Sequence, residues 1–239
     1  MTVHYLQHVA FEGLGAIEDW CASRGHAVEA TRLFAEPLPA SLEVDLLVVL
    51  GGPMNVYQED TYPWLAAEKE FLAQAIEGGT RVLGVCLGAQ LLADVLGGSV
   101  SPNVEREIGW YPVELEPEAA MVPGFDRLPS RFAALHWHGD TFSVPPGALR
   151  LAESQACPNQ AFSWNEGQVV ALQFHLEETR DSLRLLVEHA AHELAPAAQV
   201  PGSVAPSWIS SAEELLSHEA PLESCRKLLF ELLDGMMGA

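Results

Sequence analysis

The chain has 239 residues, 49% of them hydrophobic, and carries 33 acidic against 12 basic side chains, a formal charge of −21. That is apolar material enough for a buried core, and length enough for one large α/β domain or a domain of about 190 residues with an appendage. A surface this acidic repels phosphate backbones and anionic membranes, which argues against nucleic-acid and membrane partners. Cys21, Cys86, Cys157 and Cys225 lie far apart with no C-x-x-C pair, so neither a zinc knuckle nor a disulfide framework is expected. The opening MTVHYLQHVAFE has no basic start followed by a long apolar run, and nowhere do eighteen apolar residues follow one another. The expectation is a cytoplasmic protein with reduced thiols.

Val3 to Val9 reads as a strand, Gly15 to Arg24 as a helix ended by Gly25, and Val28 to Leu33 as a second strand. Asp45 to Leu50, DLLVVL, is the continuous apolar run of a strand covered on both faces. Gly51-Gly52-Pro53 follows at its carboxyl end. Parallel sheets place ligand sites there, and missing β-carbons let backbone N–H groups approach a bound oxygen; an ordinary turn would carry the same residues. Tyr62 to Glu77 is a crossover helix stopped by Gly78-Gly79. Strands alternating with helices in this way predict a doubly wound parallel sheet.

Thr80 to Leu96 then runs as strand (Arg81 to Val85), Cys86, and helix. Gly84 and Gly88 flank Cys86 two residues to either side, the spacing of a nucleophile elbow, in which small neighbours allow a strained backbone. A cysteine at a helix N-terminus is favoured as thiolate. Cys86 is thus a candidate nucleophile, although a buried cysteine filling a strand end would have the same surroundings.

Ile108 to Leu115 and Phe132 to Trp137 predict an antiparallel or mixed section, in which His136 and His138 share a face. Two such histidines can bind a metal, but no third ligand follows at a recognisable spacing, so no metal is expected. Gly167 to Phe174 is a strand that delivers His175-Leu176-Glu177 at its end, a base and the carboxylate that could orient it. Thr179 to Glu193 is a helix, and the small, Pro-rich 195–206 a linker. Ser211 to Glu214 forms a capping box, and Pro221 to Met237 a helix with a wide apolar stripe that must be buried on the parent domain, a partner or a second copy. The expected division is a main domain over 1–194, a linker over 195–206 and a helical extension over 207–239.

Gly51-Gly52-Pro53, Gly84-Val-Cys86-Leu-Gly88-Ala-Gln90, His138-Gly139-Asp140 and Phe174-His175-Leu176-Glu177, in that order, resemble the class I (triad-type) glutamine amidotransferases. The resemblance covers residues 45 to 178, includes the run Arg106 to Leu115, and is closest to the amidotransferase domain of GMP synthetases and its free-standing relatives. It implies a flavodoxin-like, mostly parallel α/β sheet with helices on both faces. It also implies that Cys86 attacks the glutamine side-chain amide, His175 moves the proton and Glu177 orients His175. The N–H groups of Gly52 and Leu87 would form the oxyanion hole, and Gly51, Gln90, His138, Gly139 and Asp140 would bind substrate, with no cofactor. Leu176 stands where the family often has proline. No ATP-pyrophosphatase stretch follows residue 195, and there is no P-loop or Rossmann glycine pattern. Ammonia would therefore pass to a separate acceptor or synthase subunit, or the chain would hydrolyse glutamine without a partner. A γ-glutamyl peptide hydrolase on the same triad, and a non-catalytic regulatory protein on this scaffold, are the alternatives.

Overall fold

In a computed structural model that describes residues 1–194, 208–217 and 220–238, nine strands form one sheet. In chain order the elements are β1 (Thr2–Gln7), α1 (Ala16–Arg24), β2 (Ala27–Arg32), β3 (Leu46–Val49), α2 (Trp64–Glu77), β4 (Arg81–Val85), α3 (Leu87–Val95), β5 (Val100–Leu115), β6 (Arg131–Phe142), β7 (Leu149–Glu153), β8 (Ala161–Trp164), β9 (Val169–Leu172), α4 (Arg180–His189), α5 (Ala212–Ser217) and α6 (Ala220–Met237). The linker expected over 195–206 lies outside the described residues. Among the described residues no helix is long and apolar enough to cross a membrane.

The sheet order is β2-β1-β3-β4-β9-β8-β7-β5-β6. The first five strands pair in parallel, as the alternation of strands and helices predicts. The last five pair antiparallel. The antiparallel half curls back, so that β6 meets the chain just beyond β9: His175 N–H donates to the Leu135 carbonyl at 2.8 Å.

The parallel strands are buried on both faces because consecutive residues feed different cores. Leu46, Val48, Leu83, Val85, Val170 and Leu172 pack with Ile17 and Trp20 of α1 and Leu229 and Leu233 of α6. Leu47, Val49, Val82, Val169 and Ala171 pack with Leu65 and Leu72 of α2 and Leu91 and Leu92 of α3. Each such Val, Leu or Ile side chain contributes about 1.5–3 kcal/mol of apolar transfer free energy, which explains runs without polar alternation.

The apolar stripe of α6 is spent within the chain: Cys225, Leu229, Leu232, Leu233 and Met236 are buried. Trp20 Nε1 donates to Asp234 at 2.8 Å, and Arg24 pairs with the same carboxylate at 2.5 Å, tying α6 to α1. The face that would have met a second copy therefore covers the parent sheet. Ser211 caps α5 as expected, accepting from Glu214 N–H at 3.2 Å while Glu214 accepts from Ser211 N–H at 2.8 Å.

Several features depart from the sequence expectation; β6 runs on to Phe142 rather than ending at Trp137, and α4 ends at His189 rather than Glu193. β1 stops at Gln7 rather than Val9, which releases His8 from the strand. β5 begins at Val100, eight residues before Ile108, and its polar first half pairs with β6 across an irregularity between Pro102 and Glu107. β7 and β8 have too little periodicity to be seen as strands; they exist because β9 and β5 offer them hydrogen-bonding edges.

Candidate active site

The carboxyl ends of β1, β3, β4 and β9 meet where the strand order reverses, the crevice in which open parallel sheets bind ligands. Cys86 stands at the end of β4 with φ 51° and ψ −106°, a strained conformation for a residue with a side chain. The flanking glycines make it feasible. A Cβ on Gly88 would collide with the Val49 carbonyl, and one on Gly84 would lie 2.7 Å from the Gly88 carbonyl carbon, so α3 could not start this close to β3 and β4. Leu87 is the first residue of α3, whose leading N–H groups have no acceptor within the helix. The Cys86 thiol rests 3.6 Å from the Trp137 carbonyl oxygen.

His175 follows β9 and is 3% exposed. Its Nδ1 lies 2.6 Å from Glu177 Oε1, while Glu177 Oε2 accepts from Leu176 N–H at 3.0 Å. Leucine at 176 thus takes part in the loop geometry through its N–H, which a proline would lack. The Glu177 carbonyl is in turn held by the Ala16 N–H at the start of α1, 2.6 Å away. His175 Nε2 is buried without a hydrogen-bond partner. Burial alone would lower the His175 pKa, but the Glu177 carboxylate and the adjacent Cys86 sulfur hold it well above the ordinary imidazole value. The two side chains flank Gly51: a Cβ there would be 3.6 Å from His175 Cε1 and 3.7 Å from Cys86 Cβ.

Above Cys86 opens a cleft of about 820 Å³. Gly52, Leu87, Gln90, His138, Gly139 and Asp140, all singled out by the sequence, line it together with Cys86 and His175; Gly51 is buried beneath and Glu177 lies behind His175. Gln90 Nε2 donates to Gln173 Oε1 at 3.1 Å, and Tyr57 OH donates to Asp140 Oδ2 at 3.0 Å. Across the mouth, Arg106 pairs with Glu193.

Glu12 and Glu178 escaped sequence reasoning. Glu12 lines the cleft and is pushed up to about 7, chiefly by burial, against the opposing pull of His175 and His8. Glu178 is raised to about 7 by burial and then by the Glu177 charge. The position of Glu12 just past β1 is the signal that could have found it, since the same strand-end rule picked out Gly51.

Among the described residues, two groups bring potential metal-ligand atoms within 4.8 Å of one another: Glu107 with His136 and His138, and His175 with Glu177 and Glu178. The first contains the third ligand that sequence spacing did not reveal, because Glu107 arrives from β5. Its carboxylate is already engaged, accepting from Ser154 Oγ and Gln160 Nε2 at 2.7 Å each and lying 3.1 Å from His138 Nε2. Burial would raise Glu107, but the hydrogen bond with His138, the nearby His136 and Ser154 outweigh it and hold the carboxyl below its ordinary value.

Residues 16–185 match the family model described as glutamine amidotransferase class-I. The chain is 36% identical over 202 residues to the glutamine amidotransferase-like protein YfeJ of Salmonella typhimurium, covering 82% of this chain and 84% of that protein. It is 38% identical over 132 residues to the glutamine-hydrolysing GMP synthase of Thermomicrobium roseum, a match that takes in 55% of this chain and only 23% of that protein. The crystal structure of a glutamine amidotransferase from Thermotoga maritima superposes with a TM-score of 0.86 at 32% identity, over 100% of this chain and 99% of that one. With the family model spanning well over half of its length, the chain belongs to the class I glutamine amidotransferases.

Proposed function

We propose that this protein hydrolyses the side-chain amide of glutamine to glutamate and ammonia through a thioester on Cys86, and that a separate synthase subunit consumes the ammonia. The observation that carries the reading is a strained cysteine at a strand–helix junction beside an imidazole whose far nitrogen is held by Glu177.

In this reading His175 Nε2 takes the thiol proton and the sulfur attacks the amide carbon. The charge that builds on the carbonyl oxygen is met by the N–H groups of Gly52 and Leu87; losing one such donor costs about 10²–10³ in kcat. The imidazolium then protonates the departing nitrogen, so that ammonia leaves rather than an amide anion. Water, activated by the same ring, opens the γ-glutamyl thioester, which releases glutamate and restores the thiol. Gln90, His138, Gly139 and Asp140, which line the cleft, hold the amino-acid end, while Gly51 lies beneath it. The cycle uses the protein's own side chains and backbone N–H groups together with water. The four cysteines are free thiols, in keeping with a cytoplasmic setting. A synthase partner is supported by the relatives called GMP synthase, whose length this chain matches over only about a quarter.

The size of the cleft favours a second reading. About 820 Å³ is near the top of the range that holds drug-sized ligands, roughly 300–1,000 Å³, and more than one amino acid needs. A γ-glutamyl peptide or amine would fill it and use the same triad.

Ammonia release from glutamine, and amine release from a panel of γ-glutamyl compounds, test both. Cys86→Ala should cut turnover by about a thousandfold or more without a change in melting temperature, since alanine fits the same backbone. Undiminished turnover in that variant removes Cys86 from the mechanism. A kcat/KM higher for γ-glutamyl peptides than for glutamine selects the second reading.

A further inference from the structure

His8 and Glu68 are both wholly buried, one just beyond β1 and the other on α2. His8 Nε2 is 2.9 Å from Glu68 Oε1, and His8 Nδ1 is 2.9 Å from the Gly51 carbonyl oxygen. A carbonyl can only accept, so Nδ1 carries a proton and donates it. The Gly51 carbonyl and the Gly52 N–H belong to one planar, trans peptide unit and point in opposite directions. Whatever holds the carbonyl therefore aims the N–H. Glycine on both sides leaves this peptide with little steric resistance of its own to rotation.

We propose that the buried His8–Glu68 pair is a positioning device for catalysis: His8 clamps the Gly51 carbonyl and thereby points the Gly52 N–H at the oxyanion site beside Cys86, while Glu68 fixes the His8 ring. This rests on the reading of Gly52 as an oxyanion donor. Neither residue touches reacting atoms; both act through the peptide. The ring is seated directly under it, with His8 Cβ 3.0 Å from where a Gly52 Cβ would stand, and Trp64 covers it at 5.5 Å between ring centroids. Burial would lower the His8 pKa, but the Glu68 carboxylate and the Gly51 carbonyl together raise it above the ordinary value. A ring that donates to the carbonyl while its other nitrogen faces the Glu68 carboxylate polarises the peptide and makes its N–H a stronger donor. Stability is a poor reason for the pair, because a buried ion pair is often no better than apolar residues of the same volume.

The test uses the full chain with His8→Leu, His8→Asn and Glu68→Gln, glutamine as substrate, and crystal structures of the variants. His8→Leu should lower kcat by about 100-fold, in line with loss of one oxyanion donor, with KM within about threefold. His8→Asn, whose amide can donate from near the Nδ1 position, should recover at least tenfold of that loss, and Glu68→Gln should lose about tenfold. The Gly51–Gly52 peptide should be turned in the His8→Leu crystal. A folded His8→Leu protein with kcat within twofold of the parent, or with the peptide unturned, overturns the proposal. If His8→Leu does not fold, Glu68→Gln decides: a tenfold loss in kcat at constant KM supports the proposal and an unchanged kcat overturns it. A parent chain silent toward glutamine and the γ-glutamyl panel would count against the amidotransferase reading, whereas the orientation of the peptide in the variant crystals, read without turnover, still decides the clamp.

Discussion

Two buried imidazole–carboxylate pairs face the same cleft from opposite halves of the sheet. In the antiparallel half, His138 donates from Nδ1 to the Asp140 carbonyl at 3.0 Å and sets Nε2 against Glu107, whose oxygens also take Ser154 and Gln160. In the parallel half, His175 spends Nδ1 on Glu177 and leaves Nε2 without a partner next to a strained cysteine. The chemical groups are the same; the difference is one unspent nitrogen. His136 marks the other limit, since burial drives its pKa down to about 3 and both ring nitrogens lack hydrogen-bond partners. Saturated, such a pair braces the structure; with one nitrogen unspent beside a thiol, it is poised for proton transfer.

Glu177→Gln should break the distinction most sharply. An amide facing Nδ1 would favour the wrong tautomer of His175, and kcat should fall by about a thousandfold or more while the fold survives. Steady-state ammonia release measures it, and a variant keeping a tenth of its activity would show the pair to be structural. Glu107→Leu should do the reverse. Removing the shared acceptor strands His138, Ser154 and Gln160, so stability should drop by about 3 kcal/mol in denaturant titration, with turnover of the folded fraction within about tenfold.

Glu178 sharpens the comparison through pH. Its folded pKa, about 7, is raised above the unfolded value near 4.5, so the native state holds the extra proton and loses stability as pH climbs through that interval. Glu178→Gln removes this penalty. Its stability relative to the parent should rise between pH 5 and pH 8, by up to about 3 kcal/mol. A melting-temperature difference that stays flat across the interval would mean that the carboxyl does not titrate there. The smallest effect belongs to the ion pair between Arg106 of β5 and Glu193 beyond α4: with Arg106 47% exposed, Arg106→Ala should cost under about 1 kcal/mol in a thermal melt, and a larger loss would show that the bridge braces both halves.

The parts of this fold legible along the chain are those written in local physics. DLLVVL reads as a doubly covered strand, Gly84 and Gly88 frame a strained Cys86, and His175 and Glu177 lie two residues apart, so their pairing needs no long-range contact. The same holds for Gly25, which closes α1 in the left-handed conformation. What stayed illegible depends on partners far off in sequence. β7 and β8 have edges to bind only once β5 and β9 are in place. Glu107 meets His138 across a hairpin, and His8 becomes a ligand of Gly51 only because β1 ends early and neighbours β3.

By itself, then, the order of residues determined the strand–helix alternation, the tight strand–helix turn at Cys86 and the chemical identities of sulfur, imidazole and carboxylate, because each follows from spacing over a few residues. Only the tertiary structure decided which nitrogen is left free, which carboxyls are forced toward neutrality, and that a buried histidine grips the glycine carbonyl. Those properties depend on burial and on hydrogen bonds between segments far apart in the chain, as His8 is from Gly51 and Glu68 and as Ala16 is from Glu177, and no local pattern encodes them.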